Sequence, residues 1–195
     1  RTWDNLRDGG LFDVSQGEQT ITDHNLLEIC RAKLPSMRVV KTRPPMEPKT
    51  GTDWEWWIGS PSKGWHRFAV QAKKLYATSQ SYAALGEMVK GRRQLDILAA
   101  YAKANRAIPL YCLYNYVHRI DQTQYWHCCE PRSDPQLGCT LAHLDTMRFA
   151  LNNWGCRTFE SVHSKKSTLP WRCLFCTRQK GIVLSGVSPS DAEGY

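Results

Sequence analysis

The strongest hydropathy alternation in the chain runs through Thr52-Asp53-Trp54-Glu55-Trp56-Trp57-Ile58 and returns in Phe68-Ala69-Val70-Gln71-Ala72-Lys73-Lys74-Leu75. Successive side chains of a strand point to opposite faces. Asp53, Glu55 and Trp57 therefore share one face of the first segment, and Trp54, Trp56 and Ile58 share the other. In the second segment Arg67, Ala69, Gln71 and Lys73 oppose Phe68, Val70 and Ala72. The apolar row reads as core-facing, and the polar row as functional or solvated. Between them Gly59-Ser60-Pro61-Ser62-Lys63-Gly64 has the composition of a hairpin loop. A hairpin symmetric about Ser62 sets Asp53 opposite Gln71, with Cβ atoms about 5 Å apart. A slip of one residue would send one of them to the other face.

The remaining pattern predicts an α-β-β-β-α-β order. Residues 1–17 are mixed and Gly-rich. Thr20 or Thr22 can cap a helix whose apolar positions Leu26, Leu27, Cys30 and Leu34 recur at helical spacing, closed by Pro35. Residues 37–42 form a short strand, and a Pro-rich loop over 43–51 leads into the hairpin. Over 81–105 the residues Tyr82, Leu85, Val89, Leu95, Leu98, Ala99 and Ala102 fit the inner stripe of one long helix, with Gly91 its weak point. Pro109-Leu-Tyr-Cys-Leu-Tyr-Asn115 is continuously apolar, as a buried central strand is. Beyond it, 141–151 suggests another helix and 171–175 an aromatic patch. The pattern divides the chain into a core over 1–116, a Cys- and Trp-rich extension over 117–185 packed on it, and a disordered tail over 186–195.

Charge narrows the partners. The 195 residues carry 26 Lys+Arg against 18 Asp+Glu, a formal net charge of +8, which favours an anionic partner, most commonly nucleic acid. Hydrophobic residues make up 42%, enough for a folded core. No run of eighteen apolar residues predicts a membrane span, no opening stretch resembles a signal peptide, and a cytoplasmic protein is expected.

Of the eight cysteines, Cys30 and Cys112 sit in apolar patterns as small buried hydrophobes. The other six crowd into the last third. Cys173-Leu-Phe-Cys176 is a C-x2-C pair, and Cys128 or Cys129 with Cys139 could complete a tetrahedral structural zinc site, with His127, His143 and His163 as further candidate ligands. Reduced, unmetallated thiols in a cytosolic protein are the competing reading.

A helix, a strand, a strand bearing Asp, a strand bearing an acidic residue or Gln followed by x-Lys, then a helix and a further strand, is similar to the core of the PD-(D/E)XK nuclease superfamily. Gln71-Ala72-Lys73, preceded by Gly51-Thr52-Asp53, resembles the Mrr-type restriction endonucleases, in which Gln replaces the usual acidic residue. More closely, the chain resembles a family of uncharacterised bacterial proteins with a Gly-Glu-x-x-Ile-Thr opening, a Gly-Ala-Asp-Trp-Glu-Trp-Trp strand, a Gln-Ala-Lys strand and a Pro-Leu-Tyr-x-x-Tyr-Asn strand. Here these stand as Gly17 to Thr22, Gly51 to Trp57, Gln71 to Lys73 and Pro109 to Asn115, with Thr52 in place of Ala.

The resemblance implies a restriction-endonuclease-like α/β core and a Mg²⁺-dependent (or Mn²⁺-dependent) DNA endonuclease, active in bacterial defence or restriction. It implies Asp53, the side-chain oxygen of Gln71 and the carbonyl of Ala72 as metal ligands. Lys73 would orient or deprotonate the attacking water and stabilise the charged phosphate. Glu18 is the expected helix carboxylate and Glu28 the second choice. Glu55 is either a further ligand or a partner for Arg67, and Gln94 matches a Gln that some members place near the site. Lys63, Lys74, Lys90, Arg92 and Arg93 are the expected DNA contacts, and a homodimer would supply the second centre needed for a double-strand cut. Two other classes compete: an inactive nucleic-acid-binding module, since neutral Gln71 weakens the pull on Mg²⁺, and a protein-interaction subunit, favoured if Trp54 and Trp56 are exposed.

Overall fold

The structure, a computed structural model, describes residues 1–118, 121–129, 131–153 and 155–175. It is a mixed α/β protein built on a six-stranded sheet with strands in the order β1-β2-β3-β6-β7-β8. These strands are β1 Met37–Lys41, β2 Trp54–Ser60, β3 Gly64–Lys74, β6 Ile108–Tyr114, β7 Cys139–His143 and β8 Thr168–Pro170. β3 and β6 run parallel, and every other neighbouring pair in the sheet is antiparallel. β4 Met88–Val89 and β5 Arg92–Arg93 form a separate small hairpin.

The apolar alternation is used on both faces. On one, α2 (Glu18–Arg31) lays Ile21 and Leu26 against Trp54, Trp56, Phe68, Val70, Ala72 and Tyr114. On the other, α4 (Gln94–Ala104), α5 (Leu144–Asn152) and α6 (Phe159–His163) cover Ala69, Tyr111, Leu113 and Ala142. The row read as functional or solvated is therefore enclosed: Glu55, Gln71 and Lys73 are 7%, 1% and 2% exposed. Trp54 and Trp56 are fully buried and pack on Trp171, with ring centroids 6.5 and 4.7 Å away. Their burial removes the exposure that would have favoured the protein-interaction reading.

The hairpin register is the expected one. β2 and β3 pair Trp54 with Val70 through to Ser60 with Gly64, a two-fold about Ser62, and one further step brings Asp53 opposite Gln71. The strands run closer to the turn than the loop composition suggested, leaving residues 61–63 to connect them. The strand at 37–42 and the buried strand beginning at Ile108 are also as expected.

Other elements differ. α1 (Thr2–Leu11) forms where a Gly-rich irregular stretch was expected, because Trp3 anchors it: the residue is 7% exposed and its backbone meets Gly138 so closely that a Cβ there would lie 2.6 Å from the Trp3 nitrogen. α2 starts at Glu18, not after a Thr20 or Thr22 cap, and buries Ile21, Thr22 and Leu26, while Leu27, Cys30 and Leu34 face solvent. Thr22 instead hydrogen-bonds the Glu18 carbonyl and the Tyr114 hydroxyl inside. The long helix over 81–105 is only its second half. Lys90 and Gly91, at φ 49° and 78°, make the tight turn between β4 and β5, the conformation a two-residue hairpin loop demands. A short 3₁₀ turn, Ala83–Gly86, precedes it.

Residues beyond 116 contribute to the same sheet through β7 and β8, so part of the segment read as helix over 141–151 is strand. A buried polar network ties this half together. Asn115 accepts from the Tyr82 hydroxyl at 2.6 Å and donates to the Leu137 carbonyl and Thr140 Oγ1. His163 Nε2 lies 2.8 Å from Thr140 Oγ1, and its Nδ1 donates to the Phe159 carbonyl. The expected tail over 186–195 lies outside the described residues.

Candidate active site

Asp53 stands just before β2, and the chain leading to it is held by several local devices. Residues 47–50, read as loop, form a one-turn helix, α3 (Glu47–Thr50), that ends on Gly51 at φ 68°. A side chain at Gly51 would strain that left-handed conformation and would put a Cβ 2.7 Å from the Leu98 nitrogen of α4. Thr52 then anchors through its hydroxyl to Thr50 and Thr42, at 2.9 and 2.8 Å. Asp53 is left facing the end of β3.

Four sequence-predicted side chains, Asp53, Gln71, Lys73 and Glu18, meet there. Asp53 Oδ2 accepts from the Ala72 amide at 2.6 Å and from Gln71 Nε2 at 2.7 Å. Lys73, one step along the same face, places Nζ 3.7 Å from Glu18 Oε1 and 3.4 Å from Glu87 Oε2. Glu18 reaches in from the first turn of α2, where its other oxygen accepts from the Lys74 amide at 2.8 Å. Together they line a cleft of about 330 Å³ that also takes in Glu47, Glu87 and Lys41. Sequence reading passed over Glu47 and Glu87. Glu47 falls in a Pro-rich loop and Glu87 in the expected helix over 81–105, and only the fold brings both to the cleft.

The four carboxyl groups Glu18, Glu47, Asp53 and Glu87 outnumber the two lysines, Lys41 and Lys73, that share the cleft. Burial, together with the nearby Glu18 and Glu47 charges, pushes the Asp53 carboxyl up to about 7, against the opposing pull of the Ala72 amide and Lys73. Glu18 is also raised, chiefly by burial, with Lys73 and the Lys74 amide acting against it. Carboxyls that burial and neighbouring like charges hold back from ionisation are characteristic of functional clefts.

The donor set suits a hard divalent cation, which takes oxygen ligands. Gln71 as oriented turns Nε2 toward Asp53 Oδ2 and, at 3.3 Å, toward the Ala72 carbonyl. Its Oε1 is buried with no hydrogen-bond partner among the described residues. Half a turn of the amide exchanges the two atoms and sets Oε1 beside the same two oxygens. Among the described residues no three His, Cys, Asp or Glu side chains are grouped to hold a metal. A cation at Asp53 would therefore draw on the Gln71 amide and Ala72 main chain.

Other candidates fall elsewhere. Glu28 is exposed and pairs with Arg31 and Arg1, 2.8 and 3.1 Å away, remote from the cleft. Glu55 is held by Arg67 through two bonds of 2.9 and 2.8 Å and by the Tyr101 hydroxyl at 2.6 Å, as a partner of Arg67. Gln94 is buried at the start of α4, its Oε1 without a partner among the described residues, and does not line the cleft. Lys63, Lys90 and Arg92 are exposed, Arg93 binds Asn152, and Lys74 is tied to the Gln16 carbonyl at 2.6 Å.

Among the described residues the expected zinc ligands are not gathered. Cys128 and Cys173 approach to 2.9 Å, but Cys139 bonds Thr2 and Asn25, and Cys176 lies outside the described residues. His163 is enclosed in the polar network, His127 Nε2 lies 2.7 Å from the His163 carbonyl, and His143 caps α5 from the surface.

Fold and cleft define an α/β protein with a carboxylate- and lysine-lined site at the strand ends of its central sheet. The chain belongs to the family of unknown function DUF6615, whose model matches residues 1–194. No curated protein shows a significant sequence match. No helix among the described residues is long and apolar enough to cross a membrane.

Proposed function

We propose that the protein is a Mg²⁺-dependent DNA endonuclease with a PD-(D/E)XK-like core, acting in bacterial defence or restriction. The observation that carries this reading is the meeting of Asp53, Gln71 and Lys73 at one cleft, in the register a catalytic hairpin needs. The order α2-β1-β2-β3-α4-β6, with β6 parallel to β3, also supports a core of this kind.

Asp53, the turned Gln71 amide and the Ala72 carbonyl would hold the cation. A cation bound there supplies Lewis-acid polarisation of the scissile phosphate and lowers the pKa of a coordinated water. Lys73, enclosed and aimed by Glu18 and Glu87, donates to a phosphate oxygen or orients the attacking water. Glu18, fixed through Lys74, keeps its second oxygen toward Lys73 and orients a water beside it. Glu47 and Glu87 restore the negative charge that Gln71 lacks, which answers the objection that a neutral Gln weakens attraction for a cation. A site retained only for binding DNA would gain nothing from such an acidic cluster, which repels phosphate.

The test is incubation of supercoiled plasmid, linear duplex and single-stranded DNA with and without Mg²⁺ or Mn²⁺. Metal-dependent cleavage by the wild type, lost in Asp53→Ala and Lys73→Ala, is the expected result. Equal cleavage by both variants would overturn the assignment.

A further inference from the structure

A second cleft, of about 420 Å³, opens on the sheet at the hairpin end of β1, β2 and β3, away from the acidic site. Register sets Arg38, Trp57 and Arg67 in one row across these strands, with Trp65 beside them opposite Gly59. Two guanidinium-indole stacks result: Arg38 lies 5.1 Å from the Trp65 ring centre and Arg67 5.0 Å from that of Trp57. Both indoles are partly exposed. This contrasts with Trp54 and Trp56 on the opposite face of β2, which are wholly enclosed.

The charges in this cleft are unequal. Arg67 is neutralised by its two bonds to Glu55. Arg38 is exposed and has no carboxylate partner among the described residues, as is also true of Lys63 in the turn before Trp65 and of Lys103 and Arg106 flanking the lining residue Asn105. A cationic ligand is disfavoured, because each ring already carries a guanidinium. A planar, uncharged group joined to an anion fits: the ring stacks on indole and the anion meets Arg38.

We propose that this cleft binds an unpaired nucleobase of a single-stranded nucleic acid, with the adjoining phosphate on Arg38. Aromatic platforms with basic rims hold single strands without reading sequence, and a paired base cannot offer its face. The assignment deepens the nuclease reading by naming an unpaired strand as what the protein holds. It is measured as binding without metal, so a protein that cleaves nothing still answers it.

The experiment titrates the full chain, in chelator, into labelled oligo-dT, into its duplex with oligo-dA, and into polyglutamate as an acidic-peptide control, following anisotropy and tryptophan fluorescence. The wild type binds oligo-dT more tightly than the duplex and its tryptophan emission is quenched. Trp65→Leu and Arg38→Gln each weaken oligo-dT binding about tenfold and change duplex binding less than about twofold, while Trp65→Phe retains most of the affinity. Glu28→Gln, at an exposed position lining neither cleft, binds oligo-dT as the wild type does. Preference for duplex, wild-type binding by the exposed-residue variant Arg38→Gln, or equal quenching by polyglutamate overturns the proposal.

Discussion

Gln71 Nε2 donates to Asp53 Oδ2 at 2.7 Å across the β2-β3 hairpin, so the amide occupies the position a positive charge would take between Asp53 and the Ala72 carbonyl. Replacing it with a carboxylate removes the donor and sets two anions face to face. Gln71→Glu is therefore predicted to cost about 1–3 kcal/mol of stability without a divalent cation. Mg²⁺ should restore more stability to this variant than to the wild type. Thermal unfolding with and without Mg²⁺ measures the difference, and equal shifts for the two proteins would contradict it.

Glu55 makes the contrasting case. Its bonds to Arg67 and Tyr101 give it a structural role two residues from Asp53. Glu55→Gln is expected to lower stability by about 1–3 kcal/mol, by loss of a charge-assisted pair in a partly buried setting. Metal-dependent cleavage at a temperature where the variant stays folded should persist. Denaturant titration gives the first quantity and plasmid nicking the second. A folded but inactive Glu55→Gln would return Glu55 to the active site.

His163 predicts a pH response. Burial holds its folded pKa down to about 3, against an ordinary value of 6.5. Between these values the unfolded chain binds the extra proton, so the stabilisation is complete above about pH 6.5 and is lost progressively as pH falls toward 3. Moving from pH 7 to pH 5 should cost about 2 kcal/mol through this residue alone. Urea unfolding of wild type and His163→Gln at both pH values tests it: the variant's pH dependence should be shallower by that amount, and parallel dependences would refute it.

Gly51 cannot carry a side chain without strain at φ 68° and a clash with α4. Gly51→Ala should lower stability by more than about 1 kcal/mol. It should also reduce cleavage by displacing Asp53. Wild-type stability in a denaturant melt would contradict the packing described.

Period-two alternation revealed the β2-β3 register and hence the Asp53-Gln71 opposition, because both strands keep strict inside-outside order and the intervening loop is short. It did not reveal that both faces are covered. A polar row such as Glu55, Gln71 and Lys73 looks the same in sequence whether it faces water or partners brought from α2 and α4. The helix over 81–105 was overextended because Tyr82, Leu85 and Val89 mimic helical spacing while packing from a 3₁₀ turn and a tiny hairpin. Lys90-Gly91 was the local signal for that turn. α1 was invisible because its one buried apolar residue, Trp3, finds its pocket against Gly138, far along the chain. Glu47 and Glu87 join the cleft only through tertiary placement, and no local pattern marks them.

The central claim, a divalent-cation site built on Asp53 and Gln71, is tested most directly by titrating Mn²⁺ into the metal-free protein in the absence of DNA, which requires neither substrate nor activating signal. The wild type is predicted to bind about one Mn²⁺ per chain at this cleft, with Asp53→Ala losing that binding while remaining folded. Identical binding by Asp53→Ala, or no binding by the wild type, would contradict it.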